Sequence, residues 1–252
     1  MPENKTMDAR PPKQVSTAPE LAIILAGGKG TRLRPITKET PKPMVTIRGR
    51  PILFYPLDRV IELGVGKILI TVSYKSEIIK KTVEETYARS ENISFVEEKE
   101  PLGTGGAIRN ALEKSGQRCN NLLVINGDEI CDVDLKGMYR FHLEKNAPIT
   151  LAIVEVEDAA VSGVVEMDHD RVSSFVEKPD PKAVKSKLIS CGIYLFSRDS
   201  LRLFPKDRAF NLSRDFLQHA ASEGLVYGYR SGIQPYAIDT AEKYRRTKEA
   251  LE

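Results

Sequence analysis

The amino-acid sequence predicts an α/β fold in which a doubly wound, mixed and mainly parallel sheet is followed by a smaller half of α+β character. In the first half, short apolar runs alternate with amphipathic segments, the pattern of parallel strands buried on both faces and joined by helices. From Ile149 onward, strand-like segments predominate. No linker-like stretch follows Glu20, so we predict one domain with two functional halves, 21–147 and 148–252, after a disordered extension over 1–20.

The first strand is the apolar run 21–25, which passes directly into the loop that begins Ala26-Gly27-Gly28. Pro51 can begin a helix that Gly64 ends, and Pro56 inside it requires either a kink or a later start. The same alternation predicts strands over 67–72, 93–96 and 122–125 and helices over 76–87, 106–114 and 135–144.

The second half reads as strands with few helices between them. Its strand-like segments are 150–156, 163–167, 172–176 and 188–196. Apolar residues at helical spacing then predict helices over 212–221 and 241–251 on either side of a strand over 226–229.

Composition excludes several classes of function. The chain has 252 residues, of which 41% are hydrophobic and 29% charged, as in an ordinary globular protein. Its formal charge of +3 and the lack of a Lys/Arg block argue against a nucleic-acid partner. No apolar window is long enough for a membrane helix, and the Pro-rich first nineteen residues do not read as a signal peptide. We therefore expect a soluble, cytoplasmic protein without a membrane partner.

Neither the cysteines nor the histidines show the spacing of a metal site or a redox pair. The three cysteines are expected to be reduced and to serve packing. The residues concerned are Cys119, Cys131, Cys191, His142, His169 and His219.

The stretch ILAGGKGTRLRPITKETPKPM, residues 24–44, has the properties of a phosphate-binding loop. Its glycines at 27, 28 and 30 allow successive N–H groups to point at phosphate oxygens, and Lys29 and Arg32 add charge. The stretch is neither a Walker loop nor a dinucleotide loop, because Leu33 stands where the latter needs a third glycine. Two flanking prolines restrict the backbone of Lys42, so a passive, solvated turn is the weaker interpretation.

The same stretch resembles the signature of the sugar-phosphate nucleotidyltransferases, enzymes that join a nucleoside triphosphate to a sugar 1-phosphate and release pyrophosphate. Three more blocks resemble this family in order: EKEPLGTGGAIRNAL (98–112) its base-recognition loop, NGDE (126–129) its metal-binding turn, and SGVVE with FVEKP (162–166 and 175–179) its sugar-phosphate contacts. The resemblance implies a Rossmann-like, GT-A-like three-layer fold whose smaller α+β half binds the sugar.

The resemblance also implies roles for individual residues. Arg32, Lys42 and Asp128 are expected to be catalytic, through charge neutralisation and alignment rather than as nucleophiles. Nucleotide binding is expected at Leu25, Ala26, Gly27, Gly28, Gly30, Thr31, Arg32, Gly103, Thr104 and Gly127. Sugar-phosphate binding is expected at Gly163, Glu177, Lys178 and Cys191, the last lying where family members often have Asn-Ala-Gly.

Mg²⁺ is the expected cofactor. Asp128 follows a buried strand, where open α/β sheets place their ligands, and a carboxylate there suits this ion. Asp239 is the expected second ligand, although many relatives have the Asp at the position that Ala237 holds here. A helix-capping role for Asp239 before the last helix stays open as the alternative.

The substrates implied are an NTP and a sugar 1-phosphate, and a homo-oligomer is possible. The sequence LGTGG is most similar to the branch that transfers guanylyl groups to mannose or manno-heptose 1-phosphate. Two alternatives stay open: a uridylyl-, thymidylyl- or cytidylyltransferase acting on glucose 1-phosphate, and a non-catalytic regulatory homologue that binds nucleotide sugars. A dehydrogenase is the third and most distant alternative.

Overall fold

The computed structural model describes residues 17–159, 162–232 and 235–251. Within these ranges the strands are β1 Leu21–Leu25, β2 Thr46–Ile47, β3 Arg50–Pro51, β4 Lys67–Val72, β5 Ile93–Glu97, β6 Asn121–Asn126, β7 Glu129–Ile130, β8 Ile149–Glu155, β9 Gly163–Asp168, β10 Arg171–Glu177, β11 Leu188–Ser197, β12 Val226–Ser231 and β13 Tyr236–Ala237. The α-helices are α1 Phe54–Leu63, α2 Ser76–Thr86, α3 Gly103–Ser115, α4 Leu135–Glu144, α5 Arg198–Leu201, α6 Gln218–Ser222 and α7 Ala241–Leu251.

One nine-stranded sheet runs through both halves of the chain, in the order β5-β4-β1-β6-β11-β8-β12-β10-β9. The strands β5, β4, β1 and β6 are parallel neighbours, as are β8 and β12. The strands β11 and β10 run antiparallel to both of their neighbours in this order. The expected mixed and mainly parallel sheet is therefore confirmed.

The far end of the sheet curls back on itself. Strand β9 pairs not only with β10 but also with the start of β11, so the pairings join β11, β8, β12, β10 and β9 in a ring. Between Ser190 and Tyr194 the register of β11 with β8 shifts, and Gly192 inside this bulge has a φ of 68°. The α+β half is thus an extension of the main sheet.

Two apolar layers cover the two faces of this sheet. Alternate residues of β1 point to opposite sides: Ala22 and Ile24 pack with α1, α2 and α4, whereas Leu21 and Ile23 pack with α3 and the helical segment that ends in α6. This arrangement explains the continuous apolar run, because a strand between two helical layers has no solvent face. Helix, sheet and helix form the expected three layers.

Some helices begin or end at other residues than predicted, each for a local reason. Helix α1 begins at Phe54, so Pro56 lies in the first turn, where its missing N–H removes no helical bond, and the later start applies rather than a kink. Helix α3 begins at Gly103 instead of residue 106, because its first glycines pack closely against another segment. The helix expected over 212–221 contains a π-helical part, Ser213–Leu217, ahead of α6.

The chain enters the fold slightly before the predicted boundary at residue 20. Ala18 is buried, and the Glu20 carboxylate accepts hydrogen bonds from the backbone N–H of Asn121 and the side-chain amide of Asn120, both at 3.0 Å. These contacts make residues 18 and 20 part of the domain. The rest of the expected disordered extension, residues 1–16, lies outside the described residues.

Among the described residues, we find no helix that combines the length and apolar character needed to cross a lipid bilayer.

His142 on α4 predicts a pH-dependent component of stability. It is buried, its Nδ1 lies 2.8 Å from Thr150 Oγ1, and burial lowers its pKa from 6.5 to about 4. Because the folded-state pKa is depressed, the neutral ring's contribution is complete above pH 6.5 and is lost as the pH falls toward 4. Between pH 7.5 and pH 5 we expect the wild type to lose about 2 kcal/mol through this group.

Urea unfolding at a series of pH values measures this loss. His142→Gln should reduce the pH slope of stability between pH 7.5 and 5, whatever its absolute stability. The matched control is His169→Asn, because that side chain is 97% exposed and its removal should leave the slope unchanged. Equal slopes in all three proteins would show that His142 is not the group responsible.

Candidate functional site

A cleft of about 1350 Å³ opens at the carboxyl ends of β1, β4 and β6, the edge at which open α/β sheets bind ligands. Its lining comes from the loop after β1, the segment 98–107, the turn after β6, strands β8 to β11 with their connections, and α7. Both halves of the chain therefore contribute to one cleft.

At one side of the cleft, two carboxylates converge on one ammonium group. Lys42 Nζ donates to Asp128 Oδ2 and, at 2.9 Å, to Asp239 Oδ1. Two further cations approach the second carboxylate: Arg32 Nη2 lies 3.7 Å from Asp239 Oδ1, and Lys243 Nζ lies 3.5 Å from Asp239 Oδ2. Residues more than 190 positions apart in the chain thus form one charged cluster, the carboxylate centre.

Strand pairing brings the two carboxylates together. Asp128 directly precedes β7, and Asp239 follows β13 two residues later. These strands pair antiparallel, with Ala237 opposite Glu129, so the two aspartates stand at the same end of the small sheet. Ala237 itself is part of strand β13.

The alternative role of Asp239 as a helix cap is not what the structure shows. At the start of α7, the backbone N–H of Lys243 donates to Thr240 Oγ1 at 3.2 Å, so Thr240 is the capping residue. The Asp239 carboxylate instead faces the cations of the carboxylate centre.

The backbone of Lys42 is held in place by its turn and its neighbours. Its segment, Lys42–Met44, is a 3-10 turn with Pro41 before it, and only 8% of the side chain is exposed. Gly30, at a φ of 63°, lies so close that a Cβ there would stand 2.9 Å from Lys42 Cβ. The carbonyl of Gly30 also accepts a 2.7 Å hydrogen bond from Thr37 Oγ1. This glycine therefore makes room for the lysine side chain and the turn around it.

The charges of the centre shift one another's pKa values. Burial alone would raise the pKa of Asp239, but the neighbouring Lys42, Lys243 and Arg32 outweigh it and hold the value at about 2. Burial alone would lower the pKa of Lys42, but the two carboxylates raise it overall. The Asp239 carboxylate and the Lys42 ammonium are therefore both ionised at neutral pH.

The pKa of Glu129, next to Asp128, is shifted upward, whereas that of Asp239 is shifted downward. Burial raises its pKa, the negative charges of Asp128 and Asp239 add to the shift, and the value reaches about 8. The side-chain amide of Asn126 lies 3.4 Å from its Oε1. Glu129 therefore binds its proton more tightly than an exposed glutamate does.

Not all of the predicted site residues line the cleft. Those that do are Leu25, Gly27, Gly28, Arg32, Gly103, Thr104, Asp128, Gly163, Glu177, Lys178 and Asp239. Those outside the lining are Ala26, Gly30, Thr31, Lys42, Gly127 and Cys191.

Three of the residues outside the lining have structural contacts instead. The N–H of Ala26 donates to Thr71 O at 3.1 Å, and the N–H of Gly127 donates to Leu25 O at 2.9 Å. The thiol of Cys191 is buried and donates to Ala152 O at 3.3 Å, and the sugar-phosphate contact expected at this position stays a prediction. Cys191 lies in the part of β11, residues 191–196, that is buried throughout.

The glycines of LGTGG pack against a distant segment. Phe210 O accepts hydrogen bonds from the N–H groups of Gly105 and Gly106, at 3.0 and 3.2 Å. A Cβ on Gly103 would stand 2.5 Å from the same oxygen. Thr104 Oγ1 accepts from the N–H of Leu212 at 2.9 Å. The motif therefore docks residues 208–212 beside the cleft, in addition to exposing backbone groups there.

Glu98 is a cleft residue that the sequence interpretation missed. Its carboxylate lies beside the glycine loop, since a Cβ on Gly27 would stand 2.6 Å from Glu98 Oε1. Burial raises its pKa, while hydrogen bonds from the Thr71 hydroxyl and the Leu102 N–H oppose the shift. Its position was a usable signal, because it directly follows β5 and opens the block assigned to base recognition.

The opposite end of the cleft is formed by β9 and β10. A Cβ on Gly163 would stand 2.7 Å from Phe175 Cζ and 3.1 Å from Glu177 Oε2, so a side chain there would require Phe175 to shift. Lys178 has a φ of 50°, and its N–H donates to Ser162 O at 3.0 Å. A non-glycine residue rarely adopts this backbone conformation, and at Lys178 it is accompanied by this hydrogen bond, which joins the residue after β10 to the residue before β9.

Comparison with known proteins identifies the relatives of this chain. Residues 21–234 match the family described as Nucleotidyl transferase. The mannose-1-phosphate guanylyltransferase of Mycobacterium tuberculosis is 35% identical over 228 residues, which are 89% of this chain and 62% of that protein. This chain therefore spans less than two thirds of the length of that relative.

Shorter relatives match over nearly their whole length. The D-glycero-alpha-D-manno-heptose 1-phosphate guanylyltransferase of Aneurinibacillus thermoaerophilus is 32% identical over 231 residues, 92% of this chain and 98% of that protein. Among solved structures, HddC from Yersinia pseudotuberculosis complexed with GMP-PN is 32% identical, with a TM-score of 0.76, covering 92% of this chain and 100% of that one.

The packing of α3 predicts that a Gly→Ala substitution destabilises the protein, the opposite of its usual effect in a helix. In a helix, Gly→Ala ordinarily stabilises by about 1 kcal/mol. At Gly106, however, the new Cβ would stand 2.5 Å from Arg208 O, a backbone atom. We expect Gly106→Ala to destabilise the protein by about 1–3 kcal/mol, measured by denaturant unfolding. Gly28→Ala is the control, because nothing lies within 4 Å of its Cβ, and equal stability of the two variants would contradict the packing argument.

Proposed function

The chain belongs to the Nucleotidyl transferase family, and we propose that it is an enzyme that joins GTP to a sugar 1-phosphate and releases pyrophosphate. Mannose 1-phosphate or a related aldose 1-phosphate is the proposed acceptor. The printed activities of the relatives from Mycobacterium tuberculosis and Aneurinibacillus thermoaerophilus support this choice of substrates. The observation that carries the proposal is the carboxylate centre. It lies in the same cleft as the glycine loop and as Lys178 of the second half.

The proposed reaction brings two anions together. A phosphate oxygen of the sugar 1-phosphate attacks the α-phosphorus of GTP, and a new P–O bond forms. The bond from that phosphorus to the bridging β-phosphate oxygen breaks, and pyrophosphate leaves with the electron pair. Such a step needs alignment and charge compensation more than a nucleophilic side chain. The 59% exposed side chain of Arg32 is free to contact the triphosphate, and its guanidinium can bridge two phosphates.

Mg²⁺ is the metal we assign to Asp128 and Asp239. Their oxygens Oδ2 and Oδ1 both reach one ammonium nitrogen, so they converge on a point as two ligands of a single ion must. In the described parts of the chain no group of three or more His, Cys, Asp or Glu side chains could hold a metal. An ion that keeps water and substrate oxygens as its other ligands fits such a pair of carboxylates. When bound, Mg²⁺ neutralises charge on the phosphates.

The second half supplies the proposed sugar-phosphate contacts. We assign the acceptance of sugar hydroxyls to the Glu177 carboxylate and the contact with the phosphate to Lys178. Both side chains line the cleft, and their charged atoms are 3.9 Å apart. Gly163 lies between Phe175 and Glu177 without a side chain of its own, which leaves the cleft open at this point.

Glu98 supports guanine as the base. A carboxylate only accepts hydrogen bonds, and the Watson–Crick edge of guanine offers two adjacent donors, N1–H and the N2 amino group. Uracil and thymine offer one N–H between two carbonyl oxygens, which a carboxylate would repel. Cytosine presents an acceptor beside its amino group. Because the Glu98 carboxylate lies against the glycine loop inside the cleft, it is placed to select the nucleotide.

The proposal is tested by measuring pyrophosphate release from four NTPs with mannose, manno-heptose and glucose 1-phosphates. We expect turnover to require Mg²⁺ and to be fastest with GTP. Asp128→Asn is nearly isosteric and removes the charge that the ion needs, so it should lower kcat by at least roughly 100-fold in a folded protein. Turnover with UTP, TTP or CTP alone would replace guanylyl transfer by the corresponding alternative. Tight binding of a GDP-sugar without turnover would establish a regulatory protein.

Glu98→Gln should change the choice of base. The amide retains one acceptor but presents a donor to guanine N1–H or N2, so kcat/KM for GTP should fall roughly 10- to 100-fold. The amide pairs with the N–H and one carbonyl of uracil, so the ratio of UTP to GTP use should rise. Steady-state kinetics with both nucleotides measures this ratio.

Glu97→Gln is the matched control for Glu98→Gln. Glu97 is the preceding residue, is exposed, and pairs with Lys80 at 3.1 Å rather than lining the cleft. Its substitution should leave the UTP to GTP ratio unchanged. If the ratio of UTP to GTP use changed equally in both variants, or in neither, the role assigned to Glu98 would be contradicted.

A further inference from the structure

We propose that Lys42 is a tethered counter-ion: its ammonium occupies the position of the divalent cation, keeps metal binding weak while the nucleotide is absent, and moves away when metal and nucleotide bind together. This inference rests on the metal site assigned under the proposed function. It concerns the affinity of this site for metal ions when no nucleotide is bound.

The geometry places the ammonium at the point where the two proposed ligands converge. Lys42 Nζ lies within hydrogen-bonding distance of Asp128 Oδ2 and Asp239 Oδ1 at once. The lysine side chain is 8% exposed and does not line the cleft, whereas the two aspartates are 29% and 21% exposed and do line it. The carboxylates therefore face the cleft on one side and the buried ammonium on the other.

Electrostatics makes the two cations mutually exclusive. Two carboxylates that share a site repel each other unless a cation lies between them. Here this cation is the Lys42 ammonium, which contacts both carboxylates. A divalent ion bound by the same two oxygens would stand next to a buried positive charge, which is unfavourable in a poorly solvated site. Metal binding therefore requires the ammonium to leave.

Only the side chain of Lys42 is free to make this movement. Its backbone is held by Pro41 and the 3-10 turn, and Gly30 stands against its Cβ. The four-carbon stem of a lysine, however, allows the ammonium to swing without movement of the backbone. Arg32, on the preceding turn, lines the cleft where the triphosphate is proposed to lie. A bound triphosphate would offer the displaced ammonium a new anionic partner, so nucleotide and metal are expected to bind cooperatively.

The charge of Lys42 is the property to test. Lys42→Met keeps much of the stem without the charge, and Lys42→Gln keeps hydrogen-bond donors without the charge. Lys42→Arg keeps the charge. Mn²⁺ binding is measured without nucleotide by electron paramagnetic resonance, and thermal unfolding with and without Mn²⁺ gives a second readout on the same proteins.

Both neutral variants should bind Mn²⁺ roughly tenfold or more tightly than the wild type and the Arg variant do. Mn²⁺ should also raise the Tm of the neutral variants more than it raises that of the wild type. Adding Asp239→Asn to either neutral variant should abolish the gain, which would locate the ion at the carboxylate centre. If Lys42→Met does not fold, Lys42→Gln carries the test.

Two outcomes would overturn the inference: neutral variants that bind Mn²⁺ no more tightly than the wild type, and a gain in affinity that survives Asp239→Asn. Neither outcome would contradict the proposed reaction, because Mg²⁺-dependent turnover of the wild type is measured separately. Conversely, a wild type that turns over no NTP would remove the proposed reaction while leaving the Mn²⁺ comparison readable.

Discussion

The structure depends on the buried ion pairs between Lys42 and the two aspartates of the carboxylate centre. Three chain segments, each from a different part of the fold, meet at this point: the proline-bounded turn that follows the glycine loop, the turn after β6, and the connection from β13 to α7. The Lys42 ammonium is buried, and a buried charge left without a partner is strongly destabilising, so the two carboxylates stabilise this arrangement. The same charges that hold these segments together also form the candidate site, so stability and function share their residues.

Around this centre, backbone packing sets the shape of the cleft. Gly30 and the glycines at the start of α3 lie where another segment approaches too closely for a side chain. The carbonyl of Phe210 receives two hydrogen bonds from α3, and the cleft residues on either side are thereby held at fixed positions. In both places glycine allows close contact between two segments of the protein, while other residues of the same loops line the cleft. Motifs to which we assign phosphate and base binding are thus also packing motifs.

Much of the fold followed from local pattern. The apolar run of β1, the helix-ending Gly64 and the alternation of elements in the first half correctly predicted the parallel part of the sheet. The two-residue strands β2, β3, β7 and β13 were not predicted, because a strand of two residues has no periodicity to detect. Among the site residues, those that line the cleft lie in quoted motifs, with the exception of Asp239. The burial of the Cys191 thiol was not predicted, because a motif does not tell which face of a strand a side chain occupies.

The sequence by itself determined the fold class, the glycine loop, and the acidic and basic residues available for the chemistry. Those properties are local: they depend on residue type and on spacing along one stretch of chain. Only the tertiary structure decided that Asp239 faces Asp128, that Thr240 rather than Asp239 caps α7, and that the Lys42 ammonium lies between the two carboxylates. The placing of Asp239 beside Asp128 arises from the pairing of β7 with β13 across more than a hundred residues, and no local pattern encodes a contact over that separation.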